Sequence, residues 1–208
     1  QINPKINAIV AKLEDQKCLA LADDADRRLA KNDSVGPLHG LPFAFKDLDP
    51  AAGFPMTRGS TIFKDFVPRQ DSLLVERLRN AGVIGIGKTN VSEFGMGSHT
   101  YNEVYGTTFN PYDPTKTAGG SSGGAGAALA AGLLPLASGS DLGGSLRNPA
   151  NFNNIVALRP TVGLVPAAPV PLPFLGFTVK GPMARSVADA AFLLSAMAGA
   201  DARDPLCY

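Results

Sequence analysis

Hydrophobic and polar positions alternate along this chain in segments that predict helices and strands in turn. From about Asn7 to Lys31, apolar residues recur at helical spacing among charged ones, and this pattern predicts one long amphipathic outer helix. After Gly40 the segment 41–45 is apolar and runs directly into Lys46 and Asp47. A short apolar run that follows a glycine and proline break is typical of a buried strand, so we expect a strand that ends at a charged side chain.

The rest of the chain continues this alternation and predicts an α/β fold. A mixed, largely parallel sheet with helices on both faces accounts best for helices and strands that follow one another in this way. A length of 208 residues with 45% hydrophobic composition suits a single domain, 1–208, with a substantial core. The further predicted elements are a helix at 72–81 that Gly82 ends, a strand at 83–86, a small-residue helix from Gly124 to Gly132, a strand at 133–137, and a helix at 186–198 with Ser186 and Asp189 in capping-box positions.

Charge and cysteine usage exclude several classes of function. The net charge is +1 and the lysines and arginines form no basic block, so neither a nucleic acid nor an anionic membrane surface is expected as a partner. No apolar stretch is long and continuous enough to predict a transmembrane helix. Cys18 and Cys207 lack the spacing of a disulfide framework or a zinc site, so we expect no metal, no cofactor and a reducing, cytoplasmic location. The expected partner is a small molecule.

Two clusters of glycine and serine lie in a stretch that is almost free of charge. Between residues 117 and 184 the charged residues are Asp141, Arg147, Arg159 and Lys180. In such a segment polar groups are costly unless they are paired or used, which makes these residues candidates for a site. The hexapeptide 119–124 alone could be a flexible linker, but it leads directly into a predicted helix and strand, so we interpret it as part of the fold.

The second cluster, residues 139–147, has the composition of an oxyanion hole. Its glycines tolerate unusual backbone angles, so the successive amides of Leu142, Gly143, Gly144 and Ser145 could turn inward together. Such amides beside a hydroxyl are suited to stabilising the negative oxygen that forms during acyl transfer.

A serine nucleophile needs a base, and the sequence offers two kinds. His39 and His99 both lie in predicted loops without an obvious acidic partner, so a Ser-His-Asp triad is the weaker hypothesis. Lys46 ends an apolar strand, and a desolvated lysine loses its proton more readily. By position alone, however, Lys46 would be interpreted as an ordinary strand-end lysine that reaches solvent.

The order of motifs resembles that of the amidase signature family over nearly the whole chain. The residues that carry this resemblance are the lysine motif at 40–47, the blocks at 88–94 and 181–186, the serine and glycine clusters at 119–124 and 139–150, and the segment 157–161. The sequence departs from the family pattern in having Ser140 where threonine is common, and Asn153-Asn154 where Cys-Gly is common.

The resemblance implies roles for individual residues. The family's base falls on Lys46, its bridging serine on Ser121 at a non-proline cis peptide bond, and its acylated serine on Ser145. Ser122 is expected to support the site by hydrogen bonding. Asp141 and Arg147 are expected to brace the glycine turn, although an arginine at this position could alternatively meet an acidic substrate.

The expected activity is hydrolysis of a carboxylic amide through a Ser145 acyl-enzyme, giving an acid and ammonia or an amine. Alternatives are a glutamine amidase subunit of an amidotransferase complex, a noncatalytic partner or scaffold, and a nucleotide-binding protein. The last rests on residues 82–89, which match the P-loop pattern GxxxxGK[ST] but follow a helix and have the pattern of a strand themselves. Because family members are longer, we expect the chain to be the N-terminal catalytic part of an incomplete amidase signature fold. Apolar surface exposed in such a part favours association, so the sequence leaves open whether the chain forms a homo-oligomer.

Overall fold

The structure is a computed structural model that describes residues 2–208. Short 3₁₀ turns occur at Thr61–Phe63 and Glu93–Gly95. The helices are α1 (Asn3–Ile6), α2 (Asp15–Ala30), α3 (Leu73–Asn80), α4 (Gly123–Ala130), α5 (Arg147–Phe152) and α6 (Val187–Met197). The strands are β1 (Ile9–Val10), β2 (Pro42–Lys46), β3 (Ile84–Thr89), β4 (Leu136–Asp141), β5 (Val156–Ala157) and β6 (Val179–Ala184).

The strands form two three-stranded sheets, ordered β1-β3-β2 and β4-β6-β5, with β2 lying beside β4. The α/β class is as expected, but the expectation of a largely parallel sheet was wrong for the described strands. β2 and β3 are parallel, whereas the β1–β3, β4–β6 and β5–β6 pairs are antiparallel. Parallel pairing requires a crossover connection, which α3 supplies between β2 and β3. Between β4 and β6 the chain has only the short helix α5 and β5, and it returns antiparallel.

The predicted helix from Asn7 to Lys31 was wrong for residues 7–14. Asn7 and Ala11 have positive φ angles of 51° and 44°, which interrupt a right-handed helix. Between them β1 pairs with the end of β3, and the helix begins only at Asp15. Apolar residues at 9 and 10 therefore belong to a strand, and Leu13 belongs to the irregular segment after it, where its amide donates to the carbonyl of Ile86 at 2.9 Å. Helical spacing alone does not distinguish these cases from a helix.

The other helix boundaries follow local signals in the sequence. Ser72 caps α3, since its hydroxyl accepts a hydrogen bond from the amide of Val75 at 3.4 Å. Ser186 caps α6 by accepting from the amide of Asp189 at 3.1 Å. The Asp189 carboxylate in return accepts a hydrogen bond from the Ser186 hydroxyl at 2.6 Å, so this capping box closes through side chains.

Close packing of α4 brings the serine-rich loop against the ends of β2 and β3. Seven of its residues, Gly123–Leu129, are buried, and each of them is glycine, alanine or leucine. At Gly124 an added Cβ would lie 2.3 Å from the backbone nitrogen of Asn90, just beyond β3, so a side chain has no room there. The loop before α4, which carries Ser121 and Ser122, is thereby fixed next to the end of β2.

Residues 82–89 do not form a phosphate-binding loop. Residues 84–89 are β3, which is paired on one side with β1 and on the other with β2. Their backbone amides therefore serve the sheet, and Lys88 is fully buried and donates to the backbone carbonyl of Asp49 at 2.6 Å. The structure thus gives the nucleotide-binding alternative no support. Over residues 2–208, none of the helices combines the length and apolar character needed to cross a bilayer.

Candidate active site

Lys46 lies at the C-terminal end of β2 and is completely buried. Its Nζ atom is 2.9 Å from Ser121 Oγ, 2.8 Å from Ser122 Oγ and 2.9 Å from Ser140 Oγ. Position along the chain had favoured a lysine that reaches solvent, but the structure encloses it. The enclosure follows from β2 lying beside β4, which places a third hydroxyl opposite the two from the loop before α4.

The environment of Lys46 favours its neutral form. Burial and, to a lesser extent, the nearby positive charge of Lys180 together lower the pKa of Lys46 from 10.5 to about 7, although Asp49 and Asp141 act in the opposite direction. Near neutral pH a large fraction of this lysine is therefore an amine with one lone pair and two N–H groups. Three surrounding hydroxyls, which can each donate or accept, are able to satisfy all three sites.

The serines of the first cluster hold this arrangement together. The peptide bond between Gly120 and Ser121 is cis. The Ser122 hydroxyl also accepts from the amide of Ser140 at 3.4 Å, and the Ser122 amide donates to the carbonyl of Ser145 at 3.3 Å. Ser122 therefore ties the lysine, the end of β4 and the second serine cluster to one another.

Ser145 lies between β4 and α5 on the wall of a cavity of about 260 Å³. Ser121, Ser140, Leu142 and Gly143 line the same cavity. Ser145 is half-buried, and its hydroxyl has no hydrogen-bond partner among residues 2–208. The predicted nucleophile and the predicted bridging serine are thus brought to one cavity, and the serine hydroxyl is available to a small molecule.

The four amides of the predicted oxyanion hole are not equivalent. The amide of Gly144 donates to Asp141 Oδ1 at 2.9 Å, so it is not free to bind an oxyanion. The amides of Leu142, Gly143 and Ser145 donate to no group in the described part of the chain. Because an amide bonded to a carboxylate has no N–H left for an oxyanion, the geometry favours the amides of Leu142, Gly143 and Ser145 over that of Gly144 in the predicted oxyanion hole.

Asp141 organises the turn that carries these amides. Arg147 donates to it from Nε and Nη2, both at 3.0 Å, and the amide of Leu146 donates at 3.1 Å. Burial alone would raise the pKa of Asp141, but the hydrogen bonds from Arg147, Leu146 and Gly144 outweigh burial and hold the pKa at about 2. Asp141 is thus ionised at neutral pH, and Arg147 has the geometry of a brace.

Sequence reasoning assigned no role to two members of this site. Ser140, noted only as a departure from the family pattern, supplies one of the three hydroxyls around Lys46. Arg159 adds a second guanidinium to Asp141, at 3.2 Å from Oδ1. Its presence as one of the few charges in a nearly uncharged segment had made it a candidate, but the sequence did not indicate that it pairs with Asp141.

The side chains of the two histidines contact groups outside the lining of the cavity that contains Ser145. The Nε2 atom of His39 is 3.0 Å from the carbonyl of Ala25, and Nδ1 of His99 is 2.9 Å from Thr117 Oγ1. Neither histidine lines the cavity. This arrangement offers no support to a Ser-His-Asp triad.

Comparison with known proteins agrees with the geometry. The family model described as Amidase matches residues 1–207. A glutamyl-tRNA(Gln) amidotransferase subunit of Trichodesmium erythraeum is 42% identical over 98% of this chain, and the match covers 42% of that protein. The indoleacetamide hydrolase of Bradyrhizobium diazoefficiens is 42% identical over 98% of this chain and 40% of that protein.

A solved structure shows the same fold. The peptide amidase from Stenotrophomonas maltophilia has a TM-score of 0.90 and 38% identity over 99% of this chain and 43% of that chain. The chain spans about two fifths of the length of these relatives, with 42% of the Trichodesmium erythraeum protein covered. Because the family model matches residues 1–207, this chain belongs to the amidase signature family.

Proposed function

We propose that this chain carries the catalytic centre of an amide hydrolase, with Ser145 as nucleophile, Ser121 as proton bridge and Lys46 as base. The observation that supports this proposal most strongly is the position of Lys46. A fully buried lysine whose pKa is lowered to about 7 lies 2.9 Å from the hydroxyl of Ser121. A general base needs a pKa near the working pH and a hydroxyl within reach. Lys88 is also buried with a lowered pKa but donates to a backbone carbonyl, whereas Lys46 lies against serine hydroxyls.

The proposed reaction begins with two proton transfers. Ser145 gives its proton to Ser121, which passes its own proton to neutral Lys46, and Ser145 Oγ forms a bond to the amide carbon. The amides of Leu142, Gly143 and Ser145 are the available donors for the oxyanion, and one such donor is typically worth roughly 3–4 kcal/mol of transition-state stabilisation. The proton returns through Ser121 to the leaving nitrogen as the carbon–nitrogen bond breaks.

Water completes the cycle. A water molecule that loses its proton to the same relay attacks the acyl-enzyme, which releases the carboxylic acid and regenerates Ser145. The two half-reactions use the lysine in both directions, as a base during attack and as an acid during departure. A pKa near 7 suits both, because neither protonation state is then rare at neutral pH.

Active-site labelling tests this assignment. A fluorophosphonate reagent is added to the folded protein, and the modified residue is located by mass spectrometry. We expect phosphonylation of Ser145, and labelling slower by roughly 100-fold or more in Ser121→Ala and in Lys46→Met, because each change interrupts the proton relay. Ser195→Ala, which removes a serine hydroxyl on the exposed side of α6, serves as the matched control and should label at the wild-type rate.

The outcomes separate an enzyme from a scaffold. Labelling elsewhere, no labelling of a protein shown to be folded by circular dichroism, or equal labelling in Lys46→Met would each contradict the proposed roles. Among enzymes, hydrolysis of small aliphatic and aromatic amides would then define the acyl group and the leaving group.

A second candidate is release of ammonia from glutamine within an amidotransferase complex. The relative from Trichodesmium erythraeum, which is named as part of such an enzyme, favours it at 42% identity over 98% of this chain. Glutamine would then be the amide that acylates Ser145. Steady ammonia release from glutamine, measured beside release from indoleacetamide under the same conditions, distinguishes the two candidates by which amide turns over faster.

A further inference from the structure

A second cavity, of about 440 Å³, opens beside the cavity that contains Ser145. Leu48, Phe94, Ser140 and Thr178 line both cavities, so they form a common junction. An amide whose carbonyl carbon lies at Ser145 therefore has room for a substituent that passes this junction. The second cavity is larger than the first, and most of its walls are apolar residues of the segment 162–179.

Three charged side chains line this second cavity, and they differ in how they are paired. Lys180 forms an ion pair with Asp49. Asp204 accepts hydrogen bonds from the amides of Ala167 at 2.8 Å and Leu206 at 3.0 Å. Arg58 is different, because no carboxylate of residues 2–208 lies within 4.0 Å of its guanidinium.

Arg58 lies next to the junction between the two cavities. Its carbonyl accepts a hydrogen bond from the amide of Phe94 at 2.7 Å, and Phe94 is one of the junction residues. Asp204, in contrast, also lines a different cavity together with Arg203 and Pro205, where Ser145 and the junction residues are absent. The unpaired cation is thus close to the junction, and the carboxylate is on the far side.

Aromatic contacts hold the guanidinium of Arg58 in place. It lies 5.1 Å from the centroid of the Phe63 ring, in a cation–π contact. The Phe63 ring packs edge-on against Phe94, with 6.2 Å between centroids. The guanidinium donates no hydrogen bond to residues 2–208, so its N–H groups are available to a carboxylate, which can accept two parallel hydrogen bonds.

We propose that Arg58 and the second cavity form a subsite for an amide substrate whose apolar substituent carries a carboxylate. This inference deepens the proposed function and rests on it, since it names the chemical class of the substrate that Ser145 would attack. The apolar walls bind the carbon chain, and Arg58 binds the carboxylate. An amide whose substituent has no negative charge would lose the hydrogen bonds to Arg58 and keep the apolar contacts.

Binding measurements test the subsite without requiring turnover. The probes are the monoamides of glutaric, adipic and suberic acid, each as the free carboxylate and as its neutral methyl ester. Dissociation constants are measured by calorimetry in the Ser145→Ala background, where the probes are not consumed. For the chain length that fits best, the carboxylate should bind roughly tenfold more tightly than the ester, since hydrogen bonds to charged groups are worth about that factor.

Further substitutions in the Ser145→Ala background test whether Arg58 causes the preference for the carboxylate over the ester. Arg58→Gln should abolish the preference for the carboxylate and leave ester binding unchanged, and Arg58→Lys should keep part of it because the charge remains. Arg69→Gln, which removes an exposed arginine that lines neither cavity, should behave like the parent. Equal binding of acid and ester, absence of binding by all probes, or a preference that survives Arg58→Gln would each overturn the inference. The proposed function itself is tested separately, by fluorophosphonate labelling of Ser145 in the wild-type protein, so its failure is distinguishable from failure of the subsite.

Discussion

Replacing Lys46 by methionine should change how the stability of this protein depends on pH. The substitution keeps a chain of similar length in the buried position and removes the titratable group. In the folded protein burial lowers the pKa of Lys46 to about 7, whereas the unfolded chain has the ordinary value of 10.5. This difference corresponds to roughly 5 kcal/mol that opposes folding whenever the lysine is charged in both states.

The sign of the effect follows from the protons that each state binds. Between pH 7 and pH 10.5 the unfolded state keeps the Lys46 proton and the folded state has lost it, so the wild-type protein gains stability as the pH rises. From pH 7.5 to pH 9.5 the gain relative to Lys46→Met is about 2.5 kcal/mol. The hydrogen bonds that three serines lose in the variant add a constant offset, which does not affect this slope.

Urea denaturation of both proteins at a series of pH values measures this difference. Lys88 is also buried, and its pKa is lowered to about 8, but it titrates in both proteins and largely cancels in the comparison. The wild-type free energy of unfolding should rise relative to that of Lys46→Met across the interval. Parallel curves would refute the reasoning, because they would mean that Lys46 titrates alike in the folded and unfolded states.

Three further predictions concern the surroundings of this lysine. Ser140→Ala removes one of the three hydroxyls near Lys46. It should slow fluorophosphonate labelling of Ser145 by about tenfold, which is the effect expected for loss of one hydrogen bond. An unchanged rate would show that Ser140 has no part in the site. The pKa of Asp141 is held at about 2, so its contribution to stability is present above about pH 4 and is lost as the pH falls towards 2. Asp141→Asn should therefore flatten the dependence of the free energy of unfolding on pH between about 4 and about 2. An unaltered dependence would contradict the ionic brace. Gly124→Ala should lower the free energy of unfolding in urea by about 3 kcal/mol, because its Cβ would lie 2.3 Å from a backbone nitrogen. Gly143→Ala, whose Cβ would have nothing within 4 Å, should change that free energy by less than about 0.5 kcal/mol. Similar values for the two variants would refute the packing argument.

Local signals in the sequence predicted most of the elements that carry the site. The strand that ends at Lys46 and the helix capped by Ser72 were predicted because their apolar runs are short and clearly bounded. The N-terminal helix was predicted too long, because β1 depends on pairing with β3, which lies far along the chain. Hydrophobic spacing cannot report a contact of that kind.

The chemistry of the site was predictable in type and incomplete in detail. The resemblance indicated Lys46 and the two serine clusters, but not the third hydroxyl from Ser140. That contact exists because β4 lies beside β2, a tertiary arrangement that no local pattern encodes. Likewise, only the structure shows that Asp141 occupies the amide of Gly144, since glycines in a turn permit several directions for each amide.

The most direct test of the central claim is a titration of Lys46 itself. With ¹³C-labelled lysine, the Cε resonances of the folded protein are followed by NMR between pH 5 and pH 11, and the Lys46 signal is assigned as the one absent from Lys46→Met. The account predicts that this signal titrates with a midpoint near pH 7, at the pKa of about 7 that burial imposes. A midpoint near 10.5 would show an ordinary charged lysine and would contradict the proposed base.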